Sequence, residues 1–178
     1  TISGVSIIGD VTYEAYADGR ILCRRTARAG SSVSLPVEVN EEGMHAFGVK
    51  CWLGASRGET ETLDVWIGND TPRPPFSVFM NGATVSWTAV TKGVHDGYVD
   101  PLRVTYDVYL NDSQIKTGVV GTECASGITP DIPMDFYTAT VEAVFEGKRS
   151  EPQSSAWKAY GGAFELPVRM IPDVREKT

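Results

Sequence analysis

The sequence predicts an all-β protein built of two β-sandwich modules in tandem, the first with an atypical or missing set of opening strands. Three observations carry this: short alternating runs rich in Val, Thr, Tyr, Phe and Trp; turn-forming Gly, Pro, Asn and Asp between them at intervals of about 8 to 12 residues; and an internal repeat. Of the 178 residues 42% are hydrophobic and 22% charged, so the chain holds enough apolar material for a core.

The runs Val11 to Tyr16 and Ile21 to Thr26 flank Ala17-Asp18-Gly19-Arg20, in which Asp-Gly supplies the positive φ angles of a tight hairpin. Ala46 to Leu53 and Leu63 to Gly68 are the next two candidate strands. In the second half the candidates are Thr84 to Thr88, Val104 to Leu110, Thr138 to Phe145 and Ser154 to Tyr160. Val104-Thr105-Tyr106-Asp107-Val108-Tyr109 matches Val11-Thr12-Tyr13-Glu14-Ala15-Tyr16 position by position, and Asn111-Asp112-Ser113 stands where Asp18-Gly19 stood. Tyr137 to Ala143 lines up in turn with His45 to Cys51. Between the copies Pro72, Pro74 and Pro75 fix φ and remove ladder donors, as suits a linker. The division read from this is a first module over 1–70, a linker over 71–75, a second module over 76–162, and a further segment or tail over 163–178.

The second copy resembles fibronectin type III modules, especially those of secreted Bacteroidetes proteins. The resemblance rests on the linker prolines, strands around Phe76 to Phe79 and Ala83 to Trp87, the Tyr106/Tyr109 strand, the Tyr137 strand, and Gly147-Lys148-Arg149-Ser150-Glu151-Pro152 before the last strand. It implies an immunoglobulin-like sandwich with Trp87, Tyr106, Tyr109, Tyr137 and Val141 in structural roles in its core, Tyr137 at the tyrosine corner. The first copy departs from the pattern. Only ten residues precede Val11, so either the chain enters inside a module or Ile2 to Ile8 completes a shortened one; His45 takes the corner position. Phe164 to Val168 is similar to segments that lead into a further domain in such proteins, which reads Thr178 as a boundary within a longer chain.

Composition and motifs exclude several functions. A net charge of -7 disfavours a phosphate-binding surface, so no nucleic acid partner is expected. No apolar run is long enough to span a membrane. Three cysteines without ligand spacing predict neither a disulfide framework nor a metal site, and no cofactor is implied. With two histidines and no nucleophile elbow, no catalytic residues are expected. His45 and Cys51 share an alternating face with Phe47 and Val49 and read as core.

The candidate ligand-binding residues are therefore aromatic or loop-borne. Trp52 and Trp66 form one candidate, as an outward aromatic pair for glycan stacking or for sheet stability, with Trp157 as a further exposed candidate. His95, Asp96, Tyr98 and Asp100, in a polar loop between two strands, form the other. The leading functional expectation is a non-catalytic structural or interaction module of a secreted or cell-surface protein, spacing or docking neighbouring domains. A carbohydrate-binding module and an accessory segment of a secreted peptidase or adhesin are the alternatives. An unpaired strand edge in the first module predicts dimerisation by strand addition.

Overall fold

Residues 9–58 and 61–162 are described by the computed structural model. Ile2 to Ile8 and Phe164 to Val168 lie outside the described residues.

Alternation and turn chemistry set the first half. β1 (Asp10–Ala17) reverses into β2 (Arg20–Arg28), with Asp18 at φ 50° and Gly19 at φ 79°, the left-handed pair a two-residue hairpin needs. β3 (Gly43–Leu53) pairs antiparallel with β1, and β4 (Ser56–Arg57) and β5 (Glu61–Ile67) both pair with the far side of β3. The result is a single sheet. Tyr13, Ala15 and Ala17 stand opposite Cys51, Val49 and Phe47, so these six residues share one face. Among the described residues no second sheet lies across that face. Leu35 and Val37, from the connection between β2 and β3, cover part of it beside Ala15, Phe47 and Val49, and Leu63 stays 67% exposed.

The second half has both layers. β6 (Phe76–Met80), β7 (Thr84–Thr88) and β10 (Glu123–Ala125) form one sheet in the order β10-β7-β6. β8 (Thr105–Leu110), β9 (Ser113–Val119), β12 (Ala139–Phe145), β13 (Lys148–Arg149) and β14 (Gln153–Ser154) form the other, with β12 between β8 and the β13/β14 pieces. A short ribbon of β11 (Asp135–Tyr137) and β15 (Lys158–Tyr160) closes one end. Alternate residues point inward, so Met80, Val85, Trp87, Tyr106, Val108, Val141, Ala143 and Phe145 meet in one buried cluster. Trp87 packs at 5.1 Å on Tyr106, whose hydroxyl accepts the backbone N–H of Val90 at 2.9 Å. This is an immunoglobulin-like, fibronectin type III-like sandwich, and the chain as a whole is all-β.

Tyr137 packs against the rim of that core. Tyr109 does not follow the expectation placed on it: with Tyr106 and Val108 inward, the period of two turns Tyr109 to the outer face, where its hydroxyl reaches Glu142 at 3.4 Å.

The repeat read from the sequence is a repeat of bonds. In the first half Asp18 donates its backbone N–H to the carbonyl of Ala46 at 3.0 Å, and its carboxylate accepts from Ala46 N–H at 2.9 Å. In the second half Asn111 exchanges the same two bonds with Thr138, at 3.0 and 2.9 Å. Each pair ties a hairpin turn to the start of the next long strand.

Candidate functional site

The densest polar arrangement sits where the two halves meet. Asp70 follows β5 by three residues and is fully buried. One carboxylate oxygen accepts from the N–H of Thr71 at 2.7 Å and from His95 Nδ1 at 2.9 Å. The other accepts from the N–H groups of His95 at 2.8 Å and Gly97 at 3.1 Å. Four donors on two oxygens use the accepting capacity of a carboxylate. Burial pushes its pKa up, but the bonds from His95, Gly97 and Thr71 outweigh burial and hold it below the ordinary aspartate value.

The backbone around this carboxylate is folded for it. Asp70 N–H donates to Tyr98 O at 2.9 Å, Val94 N–H to Thr71 O at 2.9 Å, and Arg73 N–H to Lys92 O at 3.1 Å. The proline stretch is thus laced to the loop after β7 instead of spanning open solvent. Gly93 and Gly97 are required by contact. A Cβ on Gly93 would strike the Asp70 carboxylate, and one on Gly97 would strike Trp66 and Asp70.

Side chains complete the joint. The Trp66 indole stacks on the His95 ring at 4.2 Å and 6° between planes. Lys148, the first residue of β13, donates to the Glu42 carboxylate and to the carbonyl of Asn69. Arg73 donates to Gly93 O at 2.9 Å and to Asp96 at 2.8 Å.

Of the residues singled out in the sequence, Trp66 and His95 are brought together here, with Asp96 on the rim. Tyr98 contributes its backbone, while its ring is 61% exposed and meets Phe145 edge-on at 6.3 Å. Asp100 accepts Leu102 N–H at 3.0 Å and shapes the end of the loop. Trp52 and Trp66 do not form a pair. Trp52 stands opposite Thr12, and Trp66 opposite Met44 at the other end of β3, about 27 Å away at the usual strand rise.

Asp70, Gly93 and Gly97 were not foreseen. In the sequence Asn69-Asp70-Thr71 reads as turn chemistry or a glycosylation sequon, and the four donors to Asp70 include none that local spacing reveals beyond Thr71. Two glycines four apart around a histidine were the available signal. Both histidines are committed to carboxylates: His95 to Asp70, and His45 to Asp18 at 2.7 Å with its second nitrogen 2.8 Å from Glu41 O. The joint is a lock between the two halves.

Two facing sheets in the second half, a single antiparallel sheet in the first and bonds where they meet define the class: an all-β chain with an immunoglobulin-like, fibronectin type III-like sandwich in its second half. No family model matches the chain, and no curated protein matches it. Among solved structures the chain is similar to the central fibronectin-III array of RIM-binding protein, at 13% identity over 88% of each chain with a TM-score of 0.33. Chicken interferon gamma receptor alpha chain is similar at 14% identity over 89% of this chain and 87% of that one, TM-score 0.37. A two-module fibronectin type-III segment of chicken tenascin is similar at 14% over 85% of each, TM-score 0.31. The fold assignment rests on the strand order and the buried core described above.

Proposed function

We propose that this chain is a non-catalytic structural module of a larger secreted or cell-surface protein, and that it holds consecutive sandwich modules at a fixed angle. The observation that carries this reading is the Asp70 carboxylate at the end of the first half, buried and bonded by Thr71 of the linker and by three donors of His95 and Gly97 across the joint. A flexible spacer has no use for it, because a buried carboxylate costs several kcal/mol (about 3 or more) when its partners are lost. The stiff joint sets the distance and orientation at which flanking domains are presented. Binding of glycans by Trp52 and Trp66 as a plane has no geometric support, since the register separates the two indoles and His95 covers a face of Trp66.

Residual dipolar couplings test the reading. In the wild-type chain both halves should report one common alignment; Asp70→Asn sets an amide against donors and should give two alignments of different magnitude, with each half's internal couplings retained. Two independent alignments in the wild type would reject the fixed joint.

A further inference from the structure

The sheet of the first half ends in two open edges. β2 pairs with β1 and β5 with β3. Among the described residues the backbone bond that reaches either strand from its outer side is Ser31 N–H to Arg28 O at 3.1 Å, at the last residue of β2. An open edge is a template for a further strand, and charged side chains are the usual guard against one.

Here the guard is selective, because the two edges carry opposite charge. β2 holds Arg20, Arg24, Arg25 and Arg28 and no acid, while β5 holds Glu61 and Asp64 and no base. All six are exposed, and among the described residues the one ion pair any of them makes is that of Arg24 with Glu14 of β1. Pairing β2 with a second β2 sets arginines against arginines, and pairing β5 with a second β5 gathers carboxylates. Like charges across a ladder repel, so both symmetric contacts are disfavoured. β2 against β5 is attractive.

The backbone fits the same pairing. Backbone groups of a strand point alternately to its two sides. In β2 the odd residues face β1, in step with the bond from Ala29 N–H to Gly9 O, so Arg24 and Thr26 turn theirs outward. The even residues of β1 and β3 face each other, as Asp18 and Ala46 do; β5 therefore meets β3 through its odd residues, and Thr62 and Asp64 turn theirs outward. Setting Thr26 antiparallel to Thr62 brings Arg24 opposite Asp64 on the outer sheet face. On the inner face it brings Arg25 opposite Leu63, which is 67% exposed, and diagonal to Glu61. The Trp66 end of β5 is taken by the joint, and these positions lie at the other end.

We propose that copies of this chain associate head to tail, β2 of one adding antiparallel to β5 of the next. The contact is heterologous and leaves one edge of each kind free, so the assembly grows as an open row instead of closing as a dimer. The row also sets the uncovered inner faces side by side.

Charge reversal in the full chain tests this by sedimentation velocity over a wide range of concentration. The wild-type weight-average mass should rise with concentration past that of a dimer, and less so in high salt. Arg25→Glu/Arg28→Glu, which leaves Arg24 with Glu14, has two acidic edges and should stay monomeric; Glu61→Arg/Asp64→Arg has two basic edges and should do the same. An equal mixture of the two variants should associate again, a recovery that misfolded variants would not give. A wild type that stays monomeric throughout, or a mixture that stays monomeric, overturns the proposal. Growth that stops at a dimer and is untouched by either variant also overturns it and assigns self-association to another surface.

Discussion

His45 shows how one residue turns a sequence repeat into a pH-dependent contact. It takes the position of Tyr137 in the second copy, yet both ring nitrogens face acceptors, the Asp18 carboxylate at 2.7 Å and Glu41 O at 2.8 Å. Only the imidazolium donates to both. The bond to Asp18, then that to Glu41, raises the His45 pKa above its ordinary 6.5, and the bond from His45, then that from Ala46, lowers Asp18 below 3.8. A raised histidine pKa gives stability that is full below 6.5 and lost as pH rises through the folded value; the lowered aspartate gives stability present above 3.8 and lost as pH falls through its folded value. The first module should therefore be most stable between these limits. Urea midpoints reported by its Trp52 signal should fall on raising the pH toward 9 in the wild type, and His45→Gln should flatten that dependence. An unchanged slope in the variant would remove His45 from the account.

At the scale of elements, what could be read from the sequence and what could not divide cleanly. The hairpin at Asp18-Gly19, β7, β8 and β12 were legible because each is a half-buried strand with alternation on one face and turn chemistry at its end. β9 (Ser113–Val119) was missed since only Ile115 and Val119 of it touch the core, and β10 is three residues long. The run from Ser154 to Tyr160 is broken because it changes partners: Ser154 pairs with β12 while Lys158 pairs with β11, and Ser155 Oγ takes the Ala139 N–H at 3.1 Å between them. The joint was illegible for a different reason, since His95 and Gly97 reach Asp70 only through the tertiary fold. Buried carboxylates on the outer sheet face were likewise hidden, although the repeat aligns them. Glu14 is bonded by Tyr16 and Arg24, and Asp107 by Thr117, Gly118 and Arg149. Asp107 is the sharper case. Burial raises its pKa, yet the bonds from Gly118, Thr117 and Arg149 bring it below the ordinary value. Arg149→Met removes the cation that, among the described residues, is bonded to it, and should lower the urea midpoint of the second module. It should also move the acid limb of stability to higher pH, because the Asp107 pKa climbs back toward 3.8. Urea titrations between pH 3 and 7 check both effects; an acid limb that stays in place would show that Thr117 and Gly118 hold the carboxylate unaided.

Across the whole molecule the burial is lopsided, and this sets the order in which the modules come apart. Among the described residues the buried hydrophobic side chains of the first half are Ala15 and Ala17, whereas the second half buries Met80, Val85, Trp87, Tyr106, Val108, Val141 and Phe145 among others. Hydrophobic burial is the main favourable term in folding, so the first sheet is the weaker body and gains support from the joint through Trp66 and Asp70. Unfolding in urea should then occur in two steps. The first, followed at Trp52 and Trp66, should have the smaller m-value, since m scales with the surface exposed. The second, followed at Trp87, should match the unfolding of a complete sandwich. Because the stack and the buried carboxylate are poorly screened and the Lys148–Glu42 pair, half-buried at Lys148 and exposed at Glu42, adds little of its own, 1 M salt, where the Debye length is about 3 Å, should change the spacing of the two steps little. Asp70→Asn should widen the spacing by lowering the first midpoint and leaving the second where it was. A single transition shared by all four indoles, insensitive to Asp70→Asn, would mean that the modules fold as one unit and that the joint adds no separate stabilisation to the first sheet.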